Sequence, residues 1–176
     1  MSKSEEAVDL ARLPILTSSA QLVVEGSESS SEFEFGMIVA WNSFSRWAER
    51  CMAAAGAPEL TMTEIILMNH IKHRARQKKL ADICFTLNFS DTHVVAYGLR
   101  KLVALELVQA EKIGKEVFYS TTEKGDKLAE RYKHVRTTCL VPSLDETMLE
   151  RLGSAAALLR QMSGNFDQAA RSAASL

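Results

Sequence analysis

The sequence predicts a mostly helical chain that carries one small β-hairpin between long flanking helices. Three observations lead there. Apolar residues recur at three- and four-residue spacing through most of the chain, the period of an amphipathic helix. Two short β-prone runs joined by a glycine lie past the middle, at 107–121. Gly/Pro and Ser/Thr punctuation separates the helical stretches. With 176 residues and 47% apolar content, the chain can bury one sizeable core and carry extensions.

Residues 1–32 form an N-terminal extension. It starts acidic, passes an apolar patch (Ile15, Leu16, Leu22, Val23, Val24) and ends in EGSESSSE, with Ser30 or Ser31 as helix caps. The stretch Phe33–Ala55 reads as a long helix whose Phe33, Met37, Val39, Trp41, Phe44, Trp47 and Met52 spread over more than one face. Such a helix needs more than one neighbour to cover it, so 33–58 is assigned as a dimerisation helix. Gly56-Ala57-Pro58 ends it, since proline disfavours helix at the residue before it.

Thr61 or Thr63 caps the next helix, to His73, with Glu64 in its first turn and Ile65, Ile66, Met68 and Ile71 on its apolar face. RARQKK (74–79) reads as a basic connection, Leu80–Asn88 as a short helix, and Asn88-Phe89-Ser90 as a turn. The helix that follows, 90–105, is the centre of the chain. Ser90 is its expected cap and Asp91 supplies first-turn negative charge. Val95, Leu99, Leu102 and Val103 form a buried stripe, leaving Thr92, His93, Ala96, Tyr97, Arg100 and Lys101 outward. Hydrogen-bonding, aromatic and basic groups on one helix face are what a major groove admits.

Helix, short helix, tight turn and polar-faced helix make a helix-turn-helix. The runs 107–112 and 116–121, joined by Ile113-Gly114-Lys115, add a hairpin with glycine at its tip and lysines beside it. Residues 59–122 are therefore a winged helix-turn-helix, and the basic tip suits a phosphate backbone or a minor groove. Thr122 then caps a helix to about Leu140, Val141-Pro142-Ser143 breaks it, and Ser143 caps a last helix over about 144–161. Met148, Leu149, Leu152, Ala155, Ala156, Leu159 and Met162 give that helix an apolar stripe, so 123–176 is assigned as C-terminal dimerisation helices. The tail after Gln161 is small and polar, a weaker helix or a frayed end.

The net charge of −1 hides an asymmetry: residues 70–136 hold fourteen Lys/Arg against eight Asp/Glu, and the remainder is acidic. A basic middle points to a polyanion. Cys51, Cys84 and Cys139 have no CxxC or Cys/His spacing and read as reduced thiols. His70 and His73 stand at i, i+3 without a third ligand in view, so no metal is expected and no cofactor. No phosphate loop, nucleophile elbow or zinc-protease motif occurs, so the chain is not read as an enzyme. The acidic start and the short apolar runs argue against a secretion signal or a membrane span, so a cytoplasmic protein is expected. Trp41 and Trp47 fit two roles, lining a small-molecule effector pocket or packing in a helical core.

The string LRKLVALELVQAEKIGKEVFYSTTEKG (99–125) resembles the run from recognition helix through wing to the next helix in MarR-type transcriptional regulators. Leu99, Leu102, Leu107, Val108, Thr122, Lys124, Gly125 and Leu128 fall on that pattern, and the likeness extends over about 33–162. The resemblance implies a homodimer that reads a palindrome on double-stranded DNA. By position, Ser90, Thr92, His93 and Tyr97 would face base edges, Arg100 and Lys101 would meet backbone or bases, and Lys112 and Lys115 would sit on the wing. Two departures stand out. Glu106 replaces the glycine usual before the first wing strand, and the short wing holds lysines but no arginine. Such a wing is expected to contact phosphate and to read little minor-groove sequence. The sequence thus predicts a dimeric DNA-binding regulator. The alternative is a winged-helix module that binds another protein, favoured by the acidic flanks and the apolar N-terminal segment.

Overall fold

The computed structural model describes residues 27–73 and 77–176. The N-terminal apolar patch and Arg74–Arg76 of the basic connection lie outside the described residues. These described residues fall into two compact units, divided between Arg50 and Cys51.

In the first unit, α1 (Glu28–Ala54, its last turn in the second unit) starts five residues earlier than expected. Ser30 and Ser31 are therefore inside its first turn instead of capping it, and Ser27 supplies the carbonyl that both of their amides reach. Trp41, Phe44 and Trp47 form a ladder along this helix, with ring centroids 6.4 and 6.2 Å apart. Trp41 and Phe44 are about half exposed, at 52% and 48%.

The second unit holds the winged helix. Its elements run α2 (Met62–Lys72), β1 (Lys78–Lys79), α3 (Leu80–Leu87), α4 (Thr92–Ala104), β2 (Val108–Ile113), β3 (Glu116–Thr121), α5 (Glu123–Cys139), a 3-10 turn (Val141–Ser143) and α6 (Glu146–Ala173). The hairpin is part of a three-stranded antiparallel sheet in the order β1-β3-β2, with Lys79 opposite Phe118 and Ile113 opposite Glu116. The third strand corrects the reading of 78–79 as plain connection. Its pairing is through backbone, so two lysines give no β signal. The sheet also leaves only Gly114-Lys115 at the tip. Gly114 has φ +64°, the left-handed value a two-residue type II′ turn demands at its first position.

The core lies where α2, α4 and α5 meet, among the buried Ile65, Leu67, Met68, Ile71, Ile83, Val95, Leu99, Leu102, Val108 and Leu128. On α4 the buried stripe is Val95, Gly98, Leu99 and Leu102, the i, i+3, i+4, i+7 set. Val103 is 36% exposed, a correction to the expected stripe, because it stands about 100° around the helix from Leu102. Gly98 lets α4 approach α2 closely: a Cβ there would stand 2.7 Å from Leu67 Cδ1.

The caps differ by a residue or two from expectation. Asp91, not Ser90, caps α4, its carboxylate accepting from the His93 amide at 2.8 Å. Asp145, not Ser143, caps α6 by accepting from the Met148 amide at 2.7 Å. Past Gln161, α6 continues to Ala173, the helical of the two courses expected for the tail, and Asn88 Nδ2 in the turn before α4 donates to Ser163 and Asp167 on it, each at 3.2 Å.

Three helices end in the same Schellman pattern of paired amide-to-carbonyl bonds. Ala57 and Gly56 donate to Met52 and Ala53, Phe89 and Asn88 to Cys84 and Phe85, and Leu107 and Glu106 to Leu102 and Val103. Each pattern places its middle residue in the left-handed region: Gly56 at φ +105°, Asn88 at +55° and Glu106 at +59°. Glycine is free there and asparagine is tolerated, but a glutamate is strained by about 1 kcal/mol. Glu106→Gly should therefore stabilise the protein by about 0.5–1 kcal/mol and raise the melting temperature by roughly 2 °C, the exposed contact to Lys124 being worth little. A thermal melt that falls would show that Glu106 holds the wing's root by some stronger interaction.

Candidate nucleic-acid interface

The exposed row of α4 begins at its capped N-terminus. Asp91 holds the first turn, and Thr92 and His93 stand exposed behind it. Tyr97, one turn on, is 65% exposed, and Arg100 lies exposed a turn beyond. His93 and Tyr97 border an open cleft of about 340 Å³ whose other wall is Thr61, Thr63 and Glu64 at the start of α2. Ser90 is exposed in the turn ahead of the helix.

The eight residues selected from the sequence do not fare alike. Ser90, Thr92, His93, Tyr97 and Arg100 share the exposed side and N-terminal approach of α4, and Lys112 and Lys115 are exposed on the wing. Among the described residues, no acidic side chain pairs with Arg100, Lys112 or Lys115, so these cations are available to phosphate. Lys101 differs. Its ammonium donates to the Glu59 carbonyl at 2.7 Å and to Glu64 Oε2 at 3.0 Å. The outward position drawn for it on a helical wheel is therefore a contact with the start of α2.

Glu64 is the buried acid of that contact. Burial pushes its carboxyl up, but the Thr61 hydroxyl and amide and the Lys101 ammonium together outweigh burial and hold it below the usual carboxylate range. The threonine and glutamate form the capping pair expected from T-x-x-E, here with both Thr61 donors on the one Glu64 oxygen.

On the wing, the acids are engaged by the strand that the sequence did not reveal. Lys79 reaches Glu116 at 2.6 Å and lies 5.4 Å over the Phe118 ring, and Gln77 donates to Glu111 at 2.9 Å. Lys79 and Gln77 thus tie down the negative charges of the hairpin and leave its lysines outward. The T-E-K-G run also acquires a physical meaning. Thr122 accepts from the Gly125 amide at 3.1 Å and donates to the Glu106 carbonyl at 2.6 Å, and Lys124 donates to the Leu105 carbonyl at 2.8 Å. These bonds join the start of α5 to the end of α4.

Trp41 and Trp47 form an aromatic ladder with Phe44 on α1, and the effector-pocket expectation stays an expectation. Cys51 and Cys84 are buried, and burial pushes both thiols up, which keeps the reactive thiolate scarce, whereas Cys139 is exposed. Among the described residues, no three His, Cys, Asp or Glu side chains are grouped to hold a metal ion, and no helix is long and apolar enough to cross a membrane.

Residues 60–125 match the family model of a winged helix DNA-binding domain. No curated protein sequence matches the chain. Among solved structures, AbfR of Staphylococcus epidermidis is similar over 82% of this chain and 97% of its own, at 16% identity and a TM-score of 0.67. A MarR transcriptional regulator from Methanosarcina mazei is similar over 77% of this chain and 99% of its own, at 16% identity and a TM-score of 0.63. Reduced AbfR bound to DNA is similar over 78% of this chain and 96% of its own, at 13% identity and a TM-score of 0.62. At these identities the likeness is one of fold.

Proposed function

We propose that this chain, a winged helix DNA-binding domain set within the fold of MarR-type regulators, is a sequence-specific DNA-binding transcriptional regulator that acts as a homodimer. The carrying observation is the combination on α4 and the wing: exposed His93 and Tyr97 for base edges, with Arg100, Lys112 and Lys115 left without acidic partners among the described residues. Phosphate contacts supply affinity and salt dependence, and the groove-reading side chains supply sequence preference. In this reading the protein acts by binding, without catalysis, and in the cytoplasm.

Dimerisation is supported by apolar rows that a single copy leaves exposed. On α6 they are Met148, Leu149, Leu152, Leu158 and Leu159, and on α1 they are Ile38, Val39, Trp41 and Phe44. Two copies would bring two recognition helices to half-sites about one helical turn apart on a palindrome. Residues 33–58 and 123–176 are the dimerisation helices of this reading and 59–122 its DNA-binding lobe. The Trp41–Phe44–Trp47 ladder is where a small-molecule effector would be sought.

Fluorescence-anisotropy titration onto a random duplex of about 30 base pairs, at two salt concentrations, tests the reading. Binding that collapses with salt is expected, and Lys115→Ala should weaken it on every sequence and lower the salt slope by about 0.9 per protomer, about 1.8 for the dimer. Absence of binding at low salt would favour the protein-interaction alternative and redirect the search to partner proteins.

A further inference from the structure

Lys101 lies on the recognition helix, but its charge is spent inside the protein. With the two Thr61 donors at 2.8 and 2.6 Å, its ammonium at 3.0 Å makes a third donor on Glu64 Oε2, an oxygen of a side chain only 5% exposed. A fourth bond, 2.7 Å to the Glu59 carbonyl, ties the same ammonium to the loop before α2. Three parts of the chain therefore meet at one node: α4, the first turn of α2 and the loop that leads into it.

The node has a geometric consequence for DNA reading. His93, Tyr97 and Lys101 follow one another at four-residue spacing, so they occupy a single row along α4. Whatever holds Lys101 in rotation about the helix axis also aims Tyr97 and His93. Gly98, between them, sets how near α4 comes to α2 at Leu67. Gly98 thus sets the spacing and the buried stripe of Val95, Leu99 and Leu102 the coarse rotation, which leaves the fine rotation to an off-axis tether at the C-terminal end of the row. The ion pair is that tether. Its glutamate is buried and its lysine half-buried, and separating the two would leave the Glu64 charge with only its Thr61 donors and no cation beside it.

We propose that Lys101 and Glu64 are positioning residues for DNA recognition: their ion pair, and no phosphate contact by Lys101, sets the rotation at which α4 presents His93 and Tyr97. The proposal rests on the DNA-binding reading above. It changes the role of Lys101 from contact to positioning and adds Glu64. A buried acid, which near a polyanion should only hinder binding, is required for specific recognition.

The test uses the full chain and two duplexes of equal length, a selected operator fragment and a random sequence, each titrated by anisotropy over a salt series. The variants are Lys101→Met, which keeps the apolar stem, and Glu64→Gln, which keeps an acceptor for Thr61. Thermal melts confirm that each is folded, and if Lys101→Met is not, Glu64→Gln carries the test. Each variant should lose about tenfold on the operator, the scale of one misaimed base contact, and less than about twofold on the random duplex. The salt slope of Lys101→Met should stay at the wild-type value, and the double variant should be no worse than either single one. A slope lowered by about 0.9 per protomer, about 1.8 for the dimer, with equal losses on both duplexes would make Lys101 a phosphate contact and overturn the proposal. Unchanged operator affinity in folded Glu64→Gln would overturn it as well. Wild-type protein that binds neither duplex at low salt defeats the DNA-binding reading itself, an outcome the wild-type titration shows before any variant is compared.

Discussion

Gly125→Ala lowers the melting temperature by about 6–12 °C, the expected result of forcing a methyl group into backbone that cannot yield. A Cβ at Gly125 would stand 2.0 Å from the Leu107 carbonyl oxygen and 3.0 Å from its carbon. That carbonyl also accepts the Thr122 amide at 3.1 Å, immediately outside the Val108–Thr121 pairing that closes the hairpin. Relief therefore requires α5 to lift from the root of the wing, which breaks the Thr122 bond and strains its cap on Gly125. Overpacking against fixed atoms costs about 3 kcal/mol or more, and each kilocalorie shifts a chain of this size by roughly 2–4 °C. The glycine of T-E-K-G is thus required for its missing side chain; its φ is not in the left-handed region. Differential scanning calorimetry checks this, and a shift under about 2 °C would mean that α5 is not seated on Leu107.

The second large effect concerns specificity. His93→Ala and Tyr97→Ala should each cost about 1–3 kcal/mol per half-site, roughly five- to 150-fold for each protomer's contact, while affinity for random duplex changes little. Both side chains stand on the exposed row of α4 and contribute nothing to the buried stripe of Val95, Gly98, Leu99 and Leu102. Their removal should therefore leave the melt unchanged. Competition titration with operator and random DNA measures the ratio directly. Equal losses on both duplexes would assign the two residues to backbone contact and move base reading elsewhere on the helix.

The architecture was legible where hydrophobic period and punctuation agree. Val95, Leu99 and Leu102 repeat at helical spacing, T-x-x-E opens α2, and glycine at the tip marks the hairpin. What escaped is of a different kind. Ser90 and Asp91 are both good caps, and only the bond from the His93 amide chooses between them. The strand at Lys78-Lys79 exists because β3 offers an edge, a fact that no property of two lysines foretells. A helical wheel puts Lys101 on the outer face because it ignores the neighbouring helix, whose buried glutamate claims it. Glu106 departs from the glycine usual there, and its positive φ supplies the reason that glycine is preferred.

Lys79 is at once the last residue of β1 and the residue that caps the entry to α3. No connecting residue separates sheet from helix at this junction, so strand and helix share a backbone corner with no slack. An added or deleted residue there would rotate the entry of α3 by about 100° relative to the sheet. It would also push Lys79 out of register with Phe118 and Glu116. The tip at Gly114-Lys115, by contrast, is open, with nothing near the glycine. Changes of length in this domain are therefore tolerated at the far end of the wing and forbidden at its near end. The wing can be lengthened to reach further along a duplex without disturbing the helices that read it.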